Sequence, residues 1–282
     1  MKYFNQVLYI LLIMLAGGCE KIIYAPDNPI CGLPTRVLMH KGCGSGNPDF
    51  TENTLAAANY GLSVLDGIEL DIQMSKEGTL WLDHNNEVLD CEGNIIGCFQ
   101  QMTDEEIMAY AECNDTIRYN TLESVFELMA TTYPESFISL DIKGQYCEIT
   151  NTREMMEQMA KSVLNLVEKY KMENKVLVES SSIEFMSEFE DQNSVGQCVI
   201  TVSGDVDEGL ANAEVTNSRG ISLKYGIEEF NADVVSLIHN KGYGIMVWYI
   251  NEPEDIAKAW NAHPDFIQTD NADFKKYIPA NK

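Results

Sequence analysis

Short apolar runs that alternate with stretches of helical length constrain this chain more than any other feature. The runs cover residues 36–40, 67–72, 79–83, 137–142, 176–180, 197–202, 220–223, 245–249 and 266–269. Amphipathic segments at 53–62, 121–132, 152–172, 182–191, 229–240 and 253–261 fall between them. This alternation predicts a parallel α/β architecture. The link between the second and third runs is too short for a parallel crossover, which needs about a dozen residues or more. Residues 72–83 should therefore form an antiparallel hairpin turning at Glu77-Gly78, with the glycine at positive φ. Pairing outward from that turn sets Asp71 opposite His84. Setting the return strand aside leaves eight parallel strands. That count predicts a TIM-like (β/α)8 barrel with a β-hairpin insertion after the second strand. A chain of 282 residues with 45% hydrophobic content can fill one such barrel domain, expected over 36–282.

Barrels of this kind carry their chemistry at the C-terminal strand ends. His40, Glu69, Asp71, Asp141, Lys143 and Trp248 all fall at or near such ends. Glu69 and Asp71 are two residues apart in the run Gly67-Ile68-Glu69-Leu70-Asp71-Ile72, so they share one face. Burying both without a partner is costly. With Asp141 they form an all-oxygen set suited to one divalent cation, Ca²⁺ or Mg²⁺, rather than zinc. The competing reading of Asp141 is a structural ion pair with Lys143. His40 and His84 suit acid and base roles near neutral pH. Glu52 is expected near the metal or bracing Lys41, or else as a helix N-terminal carboxylate. Asn53 reads as a helix cap. Trp248 reads as pocket lining rather than core. Loops 85–120 and 203–219 are expected to shape the pocket. Met155, Met156 and Met159 read as packing.

Several of these residues stand in recognisable words. They are His40-Lys41-Gly42, Thr51-Glu52-Asn53-Thr54, Glu69-Leu70-Asp71 and His84-Asn85, then Ser139-Leu140-Asp141-Ile142-Lys143, Trp248-Tyr249-Ile250-Asn251 and Thr269-Asp270. Their order resembles the glycerophosphodiester phosphodiesterase family, whose pattern is His-Arg-Gly, Pro-Glu-Asn-Thr, Glu-Leu-Asp, His-Asp, Glu-Ile-Lys, Trp-Thr-Val-Asn and Thr-Asp. The resemblance runs from about Arg36 to Asp273. It departs at Lys41, Thr51, Asn85 and Asp141. It implies metal-dependent hydrolysis of glycerophosphodiesters to glycerol phosphate and an alcohol, with Glu69, Asp71 and Asp141 as ligands and the two histidines as acid and base. It further implies attack on phosphorus by a glycerol hydroxyl, through a cyclic phosphate that water opens. Lys41 and Lys143 would hold the phosphate, with a point charge where the family's arginine offers a fork. Asp141-Ile142-Lys143 also resembles the matching strand of sphingomyelinase D-type phospholipases, which implies a lysophospholipid substrate as the alternative. The departures leave a third reading, a cell-surface binding lipoprotein on the same scaffold.

A net charge of −25 argues against nucleic acid or an anionic membrane surface as a direct partner. It also repels anionic substrates, so a phosphate site needs local cations, and Lys41 and Lys143 are the candidates. Residues 1–18 read as a targeting segment, with Lys2 followed by an apolar stretch, Val7 to Leu15, too short to span a bilayer. Leu15-Ala16-Gly17-Gly18-Cys19 resembles a bacterial lipoprotein box with Cys19 as the acylated residue; a plain secretory signal is the alternative. Lipidation implies an exported, membrane-anchored protein, with residues 19–35 as a tether that Pro26, Pro29 and Pro34 keep extended. The other cysteines are Cys31, Cys43, Cys91, Cys98, Cys113, Cys147 and Cys198, an odd set that leaves at least one thiol unpaired. Cys91 and Cys98, flanking a turn-rich loop, are the expected pair.

Overall fold

Eight parallel strands close into a ring in the computed structural model, which describes residues 30–113, 116–143, 147, 152–192, 199–202, 205–226 and 230–278. They are β1 Arg36–Met39, β2 Gly67–Met74, β3 Phe137–Ile142, β4 Val176–Ser180, β5 Val199–Val202, β6 Gly220–Lys224, β7 Gly244–Trp248 and β8 Phe266–Thr269. Each pairs in parallel with the next. β8 returns to β1, with Arg36 opposite Phe266, so the barrel expected from the strand count is present. Seven helices surround it: α1 Leu55–Val64, α2 Leu122–Thr132, α3 Thr152–Tyr170, α4 Ile183–Gln192, α5 Val206–Val215, α6 Ala232–Asn240 and α7 Pro253–Ala262. Among the described residues, no helix is long and apolar enough to cross a membrane.

Strand alternation divides the buried residues into two sets. Ile68, Leu70 and Ile72 on β2 face outward into the layer between sheet and helices, where they join Ile138, Leu140 and Ile142 of β3. Each such side chain contributes about 1.5–3 kcal/mol relative to exposure. The inward positions of β2 carry Glu69 and Asp71, both buried. Low in the barrel the interior is apolar, built from Ile30, Leu38, Leu177, Met246 and Phe266. Above this floor the buried residues are polar: Glu69, Ser139, Glu179, Ser222 and Gln268.

Several details differ from the sequence expectations. The strand Leu80–Leu82 pairs antiparallel with β2, but Ile72 faces Leu82, one residue away from the expected register. The loop is three residues long, because the Ser75 hydroxyl accepts from the amides of Glu77 and Thr79 and Gly78 takes φ 89°. Asp83, not His84, thus lies beside Asp71, its amide donating to the Asp71 carbonyl at 3.1 Å. Residues 206–215, expected within a loop, form α5, whose N-cap Asp205 accepts from the amides of Asp207 and Glu208.

The 85–120 region is a small lobe. It holds two hairpins, Glu87–Leu89 with Ile95–Cys98 and Glu112–Cys113 with Thr116–Ile117, around a core of Trp81, Val88, Phe99, Ile107 and Tyr119. Its disulfides are Cys91–Cys113 and Cys98–Cys147. The expected Cys91–Cys98 pair does not form, because the hairpin places Cys98 opposite Glu87 and leaves Cys91 out in the turn.

The targeting segment, Cys19 and most of the tether lie outside the described residues. The tether's last residues, 30–35, pack on the barrel floor. Ile30 is buried against Gly244, where a Cβ would lie 2.6 Å from the Ile30 carbonyl oxygen. The Leu33 amide donates to Asp265 Oδ1 at 2.7 Å.

Candidate active site

The chain leaves β1 in a single tight turn, His40–Gly42, with Lys41 at φ 52° and Gly42 at φ 78°. This turn aims the Lys41 amide at Glu69 Oε2, 2.8 Å away. Lys41 Nζ donates to Glu52 Oε2 at 2.8 Å, so Glu52 braces Lys41, one of its expected roles. Asn53 is not the helix cap; Thr54 accepts from the Ala57 amide and caps α1. Asn53 is buried at φ 54° and grips Asp71 twice. Its Nδ2 donates to Asp71 Oδ2 at 2.8 Å, and its Oδ1 accepts from the Asp71 amide at 3.0 Å. A left-handed backbone suits asparagine better than most residues.

His40 is held from behind. Its Nδ1 lies 2.8 Å from Asp270 Oδ1, and its Nε2 lies 3.8 Å from Glu69 Oε2. Asp270 also accepts from the Ser45 amide at 2.7 Å and from Asn251 Nδ2 at 2.7 Å. Burial works against the charge of Asp270, but the His40 and Ser45 hydrogen bonds hold its carboxyl below the ordinary value. Tyr249 stacks on the His40 ring with centroids 5.1 Å apart. Gly44 passes against this arrangement at φ 82°, where a Cβ would lie 2.4 Å from the Asp270 carbonyl oxygen. Gly44→Ala should therefore displace Asp270 from His40. The expected result is a loss of about 10²-fold in kcat, the cost of a misplacement near 1 Å. Steady-state kinetics beside an unfolding curve checks it.

Glu69, Asp71 and Asp141 each offer a carboxylate oxygen within 4.8 Å of the others. Burial, with Asp71 and Asp141 close by, pushes the Glu69 carboxyl well above its ordinary value. Burial also raises Asp141. Asp71, although buried, is held below its ordinary value by Lys143 and the Asn53 amide. Lys143 Nζ lies 2.9 Å from Asp71 Oδ1 and 2.5 Å from Asp141 Oδ2. The ion pair weighed for Asp141 is thus present, and Lys143 serves two carboxylates. One ammonium leaves three carboxylates in charge excess, and Glu69 Oε1 is buried with no hydrogen-bond partner. An all-oxygen cluster with an unpartnered buried oxygen is a donor set that fits a hard divalent cation.

These groups open into one cavity of about 760 Å³, lined by His40, Lys41, Glu69, His84, Asp141 and Lys143, with Trp248 also in its lining. His84 stands exposed at its rim, its Nδ1 3.4 Å from Asn85 Oδ1. Among the described residues, neither 85–120 nor 203–219 lines this cavity; Ser181, Ser182 and Glu184 at the start of α4 do. Cys43 lies buried with its thiol pushed up to about 11 by burial, out of the reactive range.

Sequence reasoning missed Glu179 and gave Asp270 no role. Glu179 lies beneath the cluster, accepting from Ser139 Oγ at 3.0 Å and Gln268 Nε2 at 2.5 Å. Burial and the Asp141 charge push it up to about 7. The signal was available, since a lone carboxylate interrupts the run Val176-Leu177-Val178-Glu179 as Glu69 does in β2.

Comparison with known proteins points to one family. The glycerophosphodiester phosphodiesterase of Bacillus altitudinis is 30% identical over 154 residues, 52% of this chain and 58% of that one. The chain thus spans little more than half the length of that curated relative. A glycerophosphodiester phosphodiesterase structure from Parabacteroides distasonis shares the barrel with a TM-score of 0.71 at 18% identity, covering 87% of this chain and 97% of that one. An Oleispira antarctica phosphodiesterase, solved in complex with the product sn-glycerol-3-phosphate, gives 0.68 at 17% identity over 86% of this chain and 96% of that one. The model of the glycerophosphoryl diester phosphodiesterase family matches from His40, at the first strand end, to Phe274 beyond the last, and the chain belongs to that family.

Proposed function

We propose that this protein hydrolyses glycerophosphodiesters to a glycerol phosphate and an alcohol. One observation carries the reading: two imidazoles, two lysines and two members of a three-carboxylate cluster, Glu69 and Asp141, line one cavity at the C-terminal strand ends, with Asp71 buried behind them. The product bound by the Oleispira relative supports the same substrate class.

In this reading Glu69, Asp71 and Asp141 hold a divalent cation, Ca²⁺ or Mg²⁺. Bound there, it would polarise the phosphoryl oxygens and offset their charge. Lys41 and Lys143 supply positive charge beside the phosphate. His40 donates its Nδ1–H to Asp270 in a hydrogen bond, which leaves the unprotonated Nε2 as the base. It takes the proton of the glycerol hydroxyl that attacks phosphorus. His84, at the rim, gives a proton to the departing alkoxide. The product of that step is a cyclic phosphate. Water opens it with the two roles exchanged, which returns both histidines to their starting forms.

The test is glycerol phosphate release from glycerophosphocholine before and after chelation. Activity is expected to fall to background in EDTA and to return with Ca²⁺ or Mg²⁺. Turnover that survives chelation removes the metal from the reading.

We also propose that the protein is exported and lipid-anchored through Cys19, so that it meets a membrane only through that anchor. The apolar segment before Cys19 supports this, as do the disulfides Cys91–Cys113 and Cys98–Cys147, which suit an oxidising compartment. Cys19→Ser should move the protein from the membrane fraction to the soluble one.

A further inference from the structure

Beyond the phosphate-handling groups, Trp248, Tyr249 and Glu184 also line the cavity. Tyr249 stacks on His40 yet remains 43% exposed, so much of its ring is open to a ligand. Glu184 is exposed at the start of α4, and its carboxylate takes a long hydrogen bond of 3.4 Å from Ser182 Oγ. Among the described residues, no lysine or arginine pairs with Glu184. Trp248 already attracts an ammonium, since Lys224 Nζ lies 5.7 Å from its ring. Aromatic faces and a carboxylate without a counter-charge in the lining of one cavity favour a cation.

The charge of the whole chain leads to the same conclusion. At −25, its field opposes the approach of anions. A phosphodiester of glycerol and a neutral alcohol carries a full negative charge. A phosphodiester of glycerol and an ammonium alcohol is a zwitterion, and the field does not oppose it. Within such a substrate the two charges have different needs. The phosphate goes to Lys41 and Lys143, and the ammonium goes to the side of the cavity where, among the described residues, Glu184 has no lysine or arginine paired with it.

We infer that Trp248, Tyr249 and Glu184 bind the cationic alcohol of the substrate, so that the protein prefers glycerophosphodiesters of ammonium alcohols to those of neutral alcohols. This rests on the phosphodiesterase reading and adds the alcohol's identity to it. The experiment compares kcat/KM for glycerophosphocholine and glycerophosphoethanolamine with kcat/KM for glycerophosphoglycerol and glycerophosphoinositol, using the intact protein. The expected preference is about tenfold or more for the ammonium substrates. Glu184→Gln should cut that ratio about fivefold, through KM rather than kcat. Because Glu184 is exposed, the substitution leaves the fold in place. Added salt should raise kcat/KM for the anionic pair and leave the zwitterionic pair nearly flat, since ions screen the field. Equal turnover of both classes, or a ratio unchanged in Glu184→Gln, overturns the inference while the activity stands. Turnover of neither class overturns the activity and the inference together.

Discussion

Replacing His40 with alanine should lower kcat for glycerophosphocholine by about 10³-fold, within the range that a positioned acid or base contributes. The size of the effect follows from how the ring is held. Asp270 fixes its Nδ1 at 2.8 Å, Tyr249 covers one face, and Nε2 stands 3.8 Å from the Glu69 carboxylate. No neighbour can replace the lost nitrogen, because the groups that touch it, the Asp270 and Glu69 carboxylates and the Tyr249 ring, include no second imidazole. Asp270 would still hold Ser45 and Asn251, so the strand end should keep its shape. The substitution should therefore move the unfolding midpoint by only a few degrees, about the shift that 1 kcal/mol produces. Asp270→Asn offers a graded companion: it keeps the space but loses the charge that sets the His40 tautomer, and kcat should fall by a smaller factor. A His40→Ala enzyme retaining a tenth of wild-type kcat would contradict the assignment.

The second large effect is on stability and lies at the opposite end of the barrel. Asp265 is fully buried between β7 and β8. Its Oδ1 accepts from the Leu33 amide at 2.7 Å, and its Oδ2 accepts from the Ile245 amide at 2.8 Å and contacts His239 Nε2 at 2.8 Å. One side chain thus ties the incoming segment, the start of β7 and the end of α6 together. Asp265→Ala strands two amides and an imidazole without a partner. The expected loss is about 3–5 kcal/mol, as for other broken buried charge contacts. Urea unfolding measures it, and a loss below about 1 kcal/mol would show that water or a shift of residues 30–35 replaces the carboxylate. The active site lies away from this tie, so kcat at low temperature should be little changed.

Much of this arrangement was legible in the sequence, and the misses have physical causes. Parallel strands buried on both faces read as continuous apolar runs, so the eight barrel strands stood out. Charges inside such runs also stood out, which is why Glu69 and Asp71 could be placed on one face. The hairpin register slipped by one because the Ser75 hydroxyl closes a three-residue loop, and a side-chain hydrogen bond leaves no periodic trace. The helix α5 was hidden because Gly209 and Asn212 dilute its apolar pattern. The 85–120 lobe consists of two- to four-residue strands and one five-residue helix, Asp104–Met108, stapled by disulfides, all too short for any period to show. Asn53 was misread by one position, since asparagine and threonine both cap helices and only the fold reveals which one turns toward Asp71. His84 reached the cavity rim despite the slipped register, because it lies just beyond the paired strand, where the chain is free to turn.

The most direct test of the central claim is ³¹P NMR of glycerophosphocholine with the mature protein, run with Ca²⁺ or Mg²⁺ and with EDTA, beside His40→Ala and Glu69→Ala. The account expects glycerol phosphate to accumulate only with metal and only in the wild type. Glycerol phosphate formed equally by both variants, or in EDTA, would place the chemistry elsewhere in the molecule.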